Sequence, residues 1–457
     1  MRDSLKLGLT LNDAGSPAGF YLPEEDRSTH VYVLGSSGVG KSKGLANWIL
    51  EDIRNGRGCG VIDPHGDLVN DIVGNIDNFQ RVVLVEMTDP ESIVGFNPLE
   101  QQEGVDPYTQ ALELVEVFRK IWNLSEDKTP RLIEILRNAV ITLIEAGGTM
   151  LDIESLLTDE QFREDKLKYV TYEAVASFWR KRFDQWEPKD RVSNVESTLN
   201  KVSSFTSDPR IRLMLSAKKS TIDFRQIMDE EKTVLINLAK GVLRTNSFLL
   251  GALFVAKIQM AAMSRVDLPP HERKPFYLYV DEFQNYATLS FAEIMSEARK
   301  YGLSLILAHQ SLVQLNDELR DIILGNAKNF IIFRCDRQDA ELIIKYIKDY
   351  DPWDWKLKTE SSITYFSKDE QWEEGIGELT AMPTQVAVLK TKGKEPTMFR
   401  TFNLETSWRL EQNLATLRDR NNEAGYTLSL KKLDDAITFQ ALPAVETDEP
   451  EPGSYLL

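Results

Sequence analysis

The run Val31–Ser42, VYVLGSSGVGKS, constrains this chain more than any other stretch. An apolar strand ends at Leu34. A turn follows, made of Gly35, Ser36, Ser37, Gly38, Val39 and Gly40, and then Lys41 and Ser42 open a helix that reads on through Leu45, Trp48, Ile49 and Ile53. A glycine-rich turn between a buried strand and a helix, closed by Lys-Ser, is the phosphate-binding loop pattern. The glycines let backbone N–H groups turn inward around a triphosphate, and the helix N-terminus adds partial positive charge. Lys41 is placed to reach the β- and γ-phosphates, and Ser42 to ligate Mg²⁺.

A phosphate loop alone specifies only a bound nucleoside triphosphate; three further stretches narrow the chemistry. In Phe276–Gln284, FYLYVDEFQ, an aromatic and β-branched strand ends in Asp281 and Glu282. Asp281 at the strand tip reads as the metal-side acid, and Glu282 as the acid that polarises the attacking water. In Glu297–Gln310, EARKYGLSLILAHQ, a helix ends at Gly302, a strand follows, and Gln310 lies just past its tip, where it can report on the γ-phosphate. Arg299 ends the preceding helix. Spacing by itself favours a helix C-terminal arginine held by the macrodipole over one reaching a neighbouring subunit's nucleotide. In Val61–Leu68, VIDPHGDL, Asp63 ends a strand before a Pro-His-Gly-Asp turn. It approaches the phosphate loop if the two strands are neighbours, supporting the metal's water shell or the catalytic glutamate, and otherwise serves turn chemistry.

The 457 residues are enough for two domains and a tail. Short apolar strands recur at Val31–Leu34, Gly60–Asp63, Arg81–Val85, Thr233–Leu238, Tyr277–Asp281, Leu303–Leu307 and Asn329–Phe333. Separated by helices, they read as an α/β doubly wound, mostly parallel sheet covered on both faces. From Asp106 to Glu230 the period is helical. Leu132, Ile135, Leu136, Ala139, Val140 and Leu143 share one face, and Glu173–Phe183 and Val192–Phe205 are further helices. The predicted organisation is a nucleotide-binding core in two parts, 1–104 and 231–405, with an all-α domain at 105–230 inserted between them. Residues 406–457 form a polar helix over Ser407–Asn421 and an acidic, Pro-rich tail. Gln385–Leu389 and Thr397–Phe402 read as edge strands.

The net charge of −17 argues against a surface that wraps nucleic acid indiscriminately, but leaves room for a local basic lining. Candidate basic groups are Arg180, Lys181, Arg182, Lys218, Lys219, Lys240 and Arg244. Each taken singly fits a solvated face better, and the stripe Trp179, Phe183, Trp186 fits helix packing better than base stacking. Cys59 and Cys335 are far apart and four scattered histidines form no metal spacing, which suits reduced thiols and a cytoplasmic setting. No window approaches the ~20 apolar residues of a membrane span.

These motifs together resemble the FtsK/HerA superfamily, most closely the ATPase part of conjugative coupling proteins of the TraG/TraD type. The resemblance rests on His30, LGSSGVGKS, VIDPHGDL, Phe96-Asn97-Pro98-Leu99, YVDEFQNYAT, EARKYGLSLILAHQSLVQL and NAKNFIIFRCDRQDAEL, and covers roughly residues 6–405. It implies a RecA-like P-loop NTPase core, ATP and Mg²⁺ as ligands, a homo-hexameric ring, and movement along single- or double-stranded DNA. It gives the phosphate-loop roles to Lys41 and Ser42, the acid roles to Asp281 and Glu282, the sensor role to Gln310 and the trans-acting finger to Arg299. The N-terminal membrane helices of the membrane-bound coupling proteins are not seen in this sequence, which favours a soluble translocase. The alternative is an ATP-gated ring that recruits a nuclease, relaxase or other effector without processive pumping; a third reading is a secretion or pilus ATPase acting on protein, from which VIDPHGDL and ARKYG lean away.

Overall fold

The computed structural model describes residues 4–11, 15–244, 246–288, 295, 297–358 and 363–430. Its strands are β1 (Ser4–Leu11), β2 (Pro17–Pro23), β3 (Val31–Leu34), β4 (Gly58–Asp63), β5 (Val82–Glu86), β6 (Ser92–Val94), β7 (Thr233–Asn237), β8 (Phe276–Val280), β9 (Leu303–His309), β10 (Asn329–Phe333), β11 (Trp355–Lys358), β12 (Ile363–Tyr365), β13 (Val386–Thr391), β14 (Thr397–Arg400) and β15 (Thr427–Ser429). Eleven of them form one sheet in the order β2-β1-β14-β13-β10-β3-β9-β8-β4-β7-β5. From β10 to β5 all neighbours run parallel. β3, β4, β5, β7, β8, β9 and β10 are buried along their whole length, as a sheet covered on both faces requires. The fold is α/β with a doubly wound, mostly parallel sheet, as the strand spacing predicts.

The other flank is antiparallel: β13 pairs with β10, β14 with β13, β1 with β14, and β2 with β1. Here the structure corrects the sequence reading, because both expected edge strands lie inside the sheet, β13 between β10 and β14, and β14 between β13 and β1. Every residue of β13 but Val388 is buried, so the strand is covered on both faces. β4 is not a neighbour of β3 either; β9 and β8 stand between them.

Between β6 and β7 no strand occurs, and helices run from Pro107–Ile121 to Phe224–Asp229. Leu132, Ile135, Leu136, Ala139, Val140 and Leu143, on the helix Pro130–Glu145, are all buried. The segment Glu173–Phe183 is helical only to Phe178 and widens to a π turn over Trp179–Phe183. The wider turn buries Trp179 and Phe183 together, with the Trp179 indole donating to Thr142 Oγ1 at 2.9 Å. These two rings are core, not an exposed stacking platform. Arg180 and Arg182 beside them ion-pair with Glu164 and Glu134.

The helix Asn246–Met263 buries fifteen of its residues. An 18-residue window within Asn246–Asp267 has mean hydropathy 1.5 and is long and apolar enough to cross a membrane by composition. That corrects the expectation of no such window. Yet 89% of that window is buried inside the protein, so here it is a core helix. The helix Leu410–Glu423 folds back on the core: Arg418 pairs with Glu86 at 2.8 Å, and β15 pairs with β6. The acidic tail from 431 onward lies outside the described residues.

Candidate nucleotide site

Parallel strands expose their carboxyl ends on one edge of the sheet, and the candidate residues gather there. The loop from Gly35 to Gly40 leaves the tip of β3. Gly35 N–H donates to the His309 carbonyl at 3.2 Å and Ser36 N–H to the Arg334 carbonyl at 3.0 Å, which ties the loop to the ends of β9 and β10. Among the described residues, no acceptor is found for the N–H groups of Ser37, Gly38, Val39 and Gly40. The first N–H groups of the helix Lys41–Arg54 have no intrahelical acceptor either. Gly38 and Gly40 adopt φ of 76° and 100°, values a side chain resists.

One feature of the loop had no sequence signal. Gln385, itself at φ 65°, donates its N–H to the Val39 carbonyl at 2.8 Å. Its own carbonyl accepts from Thr401 N–H at 2.8 Å. A Cβ at Gly40 would come within 3.0 Å of Gln385 Cγ. The antiparallel flank thus closes one wall of the loop.

Lys41 Nζ is buried, makes no hydrogen bond, and sits 3.7 Å from Glu282 Oε1. Glu282 follows the tip of β8 in a left-handed conformation, φ 49° and ψ 46°, which turns its side chain off the strand line. Both its oxygens are engaged: Gln310 donates to Oε1 and Gln284 to Oε2. Gln284 closes the FYLYVDEFQ run, two residues past Glu282, and is not among the site residues that the sequence predicts. Because β9 lies between β3 and β8, Gln310 emerges next to both the loop and Glu282.

Asp281 is 6% exposed, and its carboxyl is pushed up to about 7 by burial, opposed by Lys41 and reinforced by Asp63 and Glu282. Asp63 also lies high, chiefly from burial. Its Oδ1 accepts from His65 N–H and its Oδ2 from Val69 N–H, both at 2.9 Å. So Asp63 lies close to Asp281 although β3 and β4 are apart, while its oxygens serve its own turn. His309, at the end of β9, bonds Tyr32 Oη through Nδ1 at 2.7 Å and is buried. Burial, with Lys41 nearby, pushes its imidazole down to about 3, so it is neutral. Ser42 is half-buried on the first turn beside Lys41.

This donor set suits a magnesium nucleotide. A buried ammonium that makes no hydrogen bond, its ion pair with Glu282 aside, and a row of N–H groups with no acceptor among the described residues fit phosphate oxygens. Asp281, a buried carboxyl crowded by Asp63 and Glu282 at the strand tip, fits a divalent cation.

Arg299 is elsewhere. It lies on a short 3₁₀ turn, Arg299–Tyr301, before β9, exposed, and without an ion-pair partner among the described residues. The helix expected to end at Gly302 falls largely on residues outside those described. β9 has seven residues, so ~20 Å of strand separates this end from Gln310. The structure therefore brings Lys41, Asp281, Glu282 and Gln310 together and leaves Arg299 at the far edge of the sheet.

Residues 275–378 match the family described as the TraM recognition site of TraD and TraG. The type 4 coupling protein DotL of Legionella pneumophila subsp. pneumophila is 21% identical over 373 residues, 68% of this chain and 48% of DotL. This chain thus spans about half the length of that relative. Among solved structures, the bacterial conjugative coupling protein TrwBdeltaN70 superposes with a TM-score of 0.58 at 15% identity, over 88% of this chain and 89% of the other. TrwB in complex with ADP and Mg²⁺ gives 0.59 at 15% identity, over 87% and 89%. VirB4 of Thermoanaerobacter pseudethanolicus gives 0.56 at 14% identity, over 88% and 96%. The chain has the TrwB-like P-loop fold, and its resemblance to the coupling-protein ATPases is borne out.

Proposed function

We propose that this chain is an ATP-hydrolysing motor that assembles as a homo-hexameric ring in the cytoplasm and translocates DNA. One observation carries the reading furthest. A buried acid at a strand tip is held between the phosphate-loop lysine and a glutamine from the next strand, while the arginine such a site needs faces outward on the opposite edge. A site of this build is completed by a neighbouring subunit.

Lys41 and the loop N–H groups hold the phosphates. Ser42 and Asp281 would hold Mg²⁺, with Asp63 fixing its own turn beside Asp281. Bound there, the cation would supply charge neutralisation for the transferred phosphoryl group. Glu282 takes the proton of the attacking water. Gln310 and Gln284 hold its two oxygens, so any shift of Gln310 toward the phosphate alters the base directly. Arg299 is assigned to the neighbour's nucleotide. The similarity to TrwB, DotL and VirB4 supports a role in DNA or protein transfer, and the phosphate loop supports ATP and Mg²⁺ as ligands.

The test is ATP turnover by the purified chain with and without duplex and single-stranded DNA, together with imaging of particles in ATP. DNA-stimulated turnover by threaded rings is expected, abolished in Lys41→Ala. Rings whose turnover ignores DNA would instead favour the scaffold that recruits a nuclease, relaxase or secretion partner. A monomer without turnover under all these conditions would refute both.

A further inference from the structure

The turn that carries Arg299 is held by its backbone carbonyls, each gripped by a side chain from a different part of the fold. His30, just before β3, bonds the Met295 carbonyl through Nε2 at 2.6 Å, and its Nδ1 accepts Leu305 N–H at 3.0 Å. Those two bonds set one neutral tautomer, with the proton on Nε2. Burial, with Arg299 nearby, also keeps the ring uncharged. His30 adopts φ 63°, a strained conformation for this residue that aims the ring across to β9. Arg273, in the loop before β8, donates through Nη1 to the Lys300 carbonyl and through Nε to the Leu268 carbonyl. Arg265 is fully buried and donates through Nη1 to the Tyr301 carbonyl at 3.1 Å.

Arg265 is in turn held by Asp229 at 3.0 Å, the last residue of the helix Phe224–Asp229. Arg225 of that helix bonds the other Asp229 oxygen at 2.6 Å and reaches Asp267 at 2.8 Å. The helical region also grips the other end of the same connection: Lys120, at the close of the helix Pro107–Ile121, donates to the carbonyls of Gln284 and Ala287. Arg273 and Arg265 thus grip two carbonyls of one short exposed turn, and His30 grips a third carbonyl four residues before Arg299. Gly302 at φ 75° and the Phe276 N–H bond to its carbonyl already end the turn. What the added bonds fix is the direction in which residue 299 leaves the surface.

We infer that His30, Arg265 and Arg273 are positioning residues that set the aim of Arg299, with Arg265 tying that aim to the helical region through Asp229. The inference rests on the reading of Arg299 as the finger for a neighbour's nucleotide. A misplacement of about 1 Å in such a group costs up to about a hundredfold in rate, so loss of one of three holds is expected to cost about tenfold.

Arg273→Met, half-exposed and remote from the core, is the first variant; His30→Asn, whose new residue tolerates a positive φ, is the second. Each is compared in assembled protein with Arg299→Ala and with the corresponding double variant. The expected result is a kcat about tenfold lower, KM for ATP within twofold of wild type, and no further loss when either change is added to Arg299→Ala. A merely structural role would lower KM-dependent binding as well, or add its loss to that of Arg299→Ala, and either result overturns the inference. So does wild-type kcat in Arg273→Met and His30→Asn alongside a slow Arg299→Ala. If Arg299→Ala itself turns over at the wild-type rate, the finger assignment falls first and this inference with it.

Discussion

Asp281 offers a prediction whose size follows from the site without nucleotide. Its carboxyl moves from an ordinary 3.8 to about 7, a difference of about three units, or ~4 kcal/mol at 1.36 kcal/mol per unit. The folded state holds the proton more tightly than the unfolded chain does. Stability from this group is therefore fully present below pH ~4 and drains away as pH rises through about 7. Asp281→Asn keeps the shape and removes the charge, so the variant escapes that loss. Without nucleotide or Mg²⁺, the variant's advantage over wild type should grow by roughly 3 kcal/mol between pH 5 and pH 8. Urea unfolding of both proteins across that range reads the difference directly, since the remaining titrating groups are common to the two. Saturating ADP and Mg²⁺ should stabilise the wild type selectively, because the ionised carboxylate then has a cation to face. A wild-type-to-variant gap that stays constant with pH would refute the reasoning: Asp281 would then be ionised throughout, and the burial and the neighbouring acids Asp63 and Glu282 would not control it.

Two further expectations concern the same site. Glu282→Gln should bind nucleotide while turnover falls by about 10²- to 10⁴-fold, as loss of a general base does; equilibrium binding of a fluorescent nucleotide beside a phosphate-release assay checks both halves. Gly40→Ala should fold yet lose at least tenfold in nucleotide affinity. Its Cβ would meet Gln385 at 3.0 Å, and φ 100° is a conformation L side chains avoid; the same titration measures it, with a thermal melt to show that the fold survives.

What was legible in the sequence was whatever local spacing encodes. Strand, glycines, Lys41 and Ser42 are contiguous, so the loop could be read directly, and Asp281 and Glu282 stand at the end of an unmistakable buried strand. The juxtaposition of Gln310 with Glu282 followed from placing β9 beside β8. Non-local geometry was not legible. The approach of Gln385 to Val39 depends on β13 lying inside the sheet, and the place of a strand in the sheet order is not written in its own side chains. Asp63 was expected near the loop through adjacent strands; it arrives near Asp281 instead because β4 pairs with β8. His30 could be seen as a motif residue, but its grip on Met295, like those of Arg265 and Arg273 on the following carbonyls, goes to backbone atoms that every residue carries. Such bonds leave no pattern in side-chain identity.

The hydrogen bond from Gln385 to Val39 also has a mechanical side. β1 is laced to β14, Thr401 leaves β14 to bond the Gln385 carbonyl, and Gln385 N–H holds the Val39 carbonyl. A pull on the β1–β2 ribbon therefore reaches the wall of the phosphate cradle through two amide links, alongside the path through β13 into β10 and the parallel strands. Such a load would strain the Val39 side of the cradle first, because the acids at the tip of β8 stand beyond β10, β3 and β9.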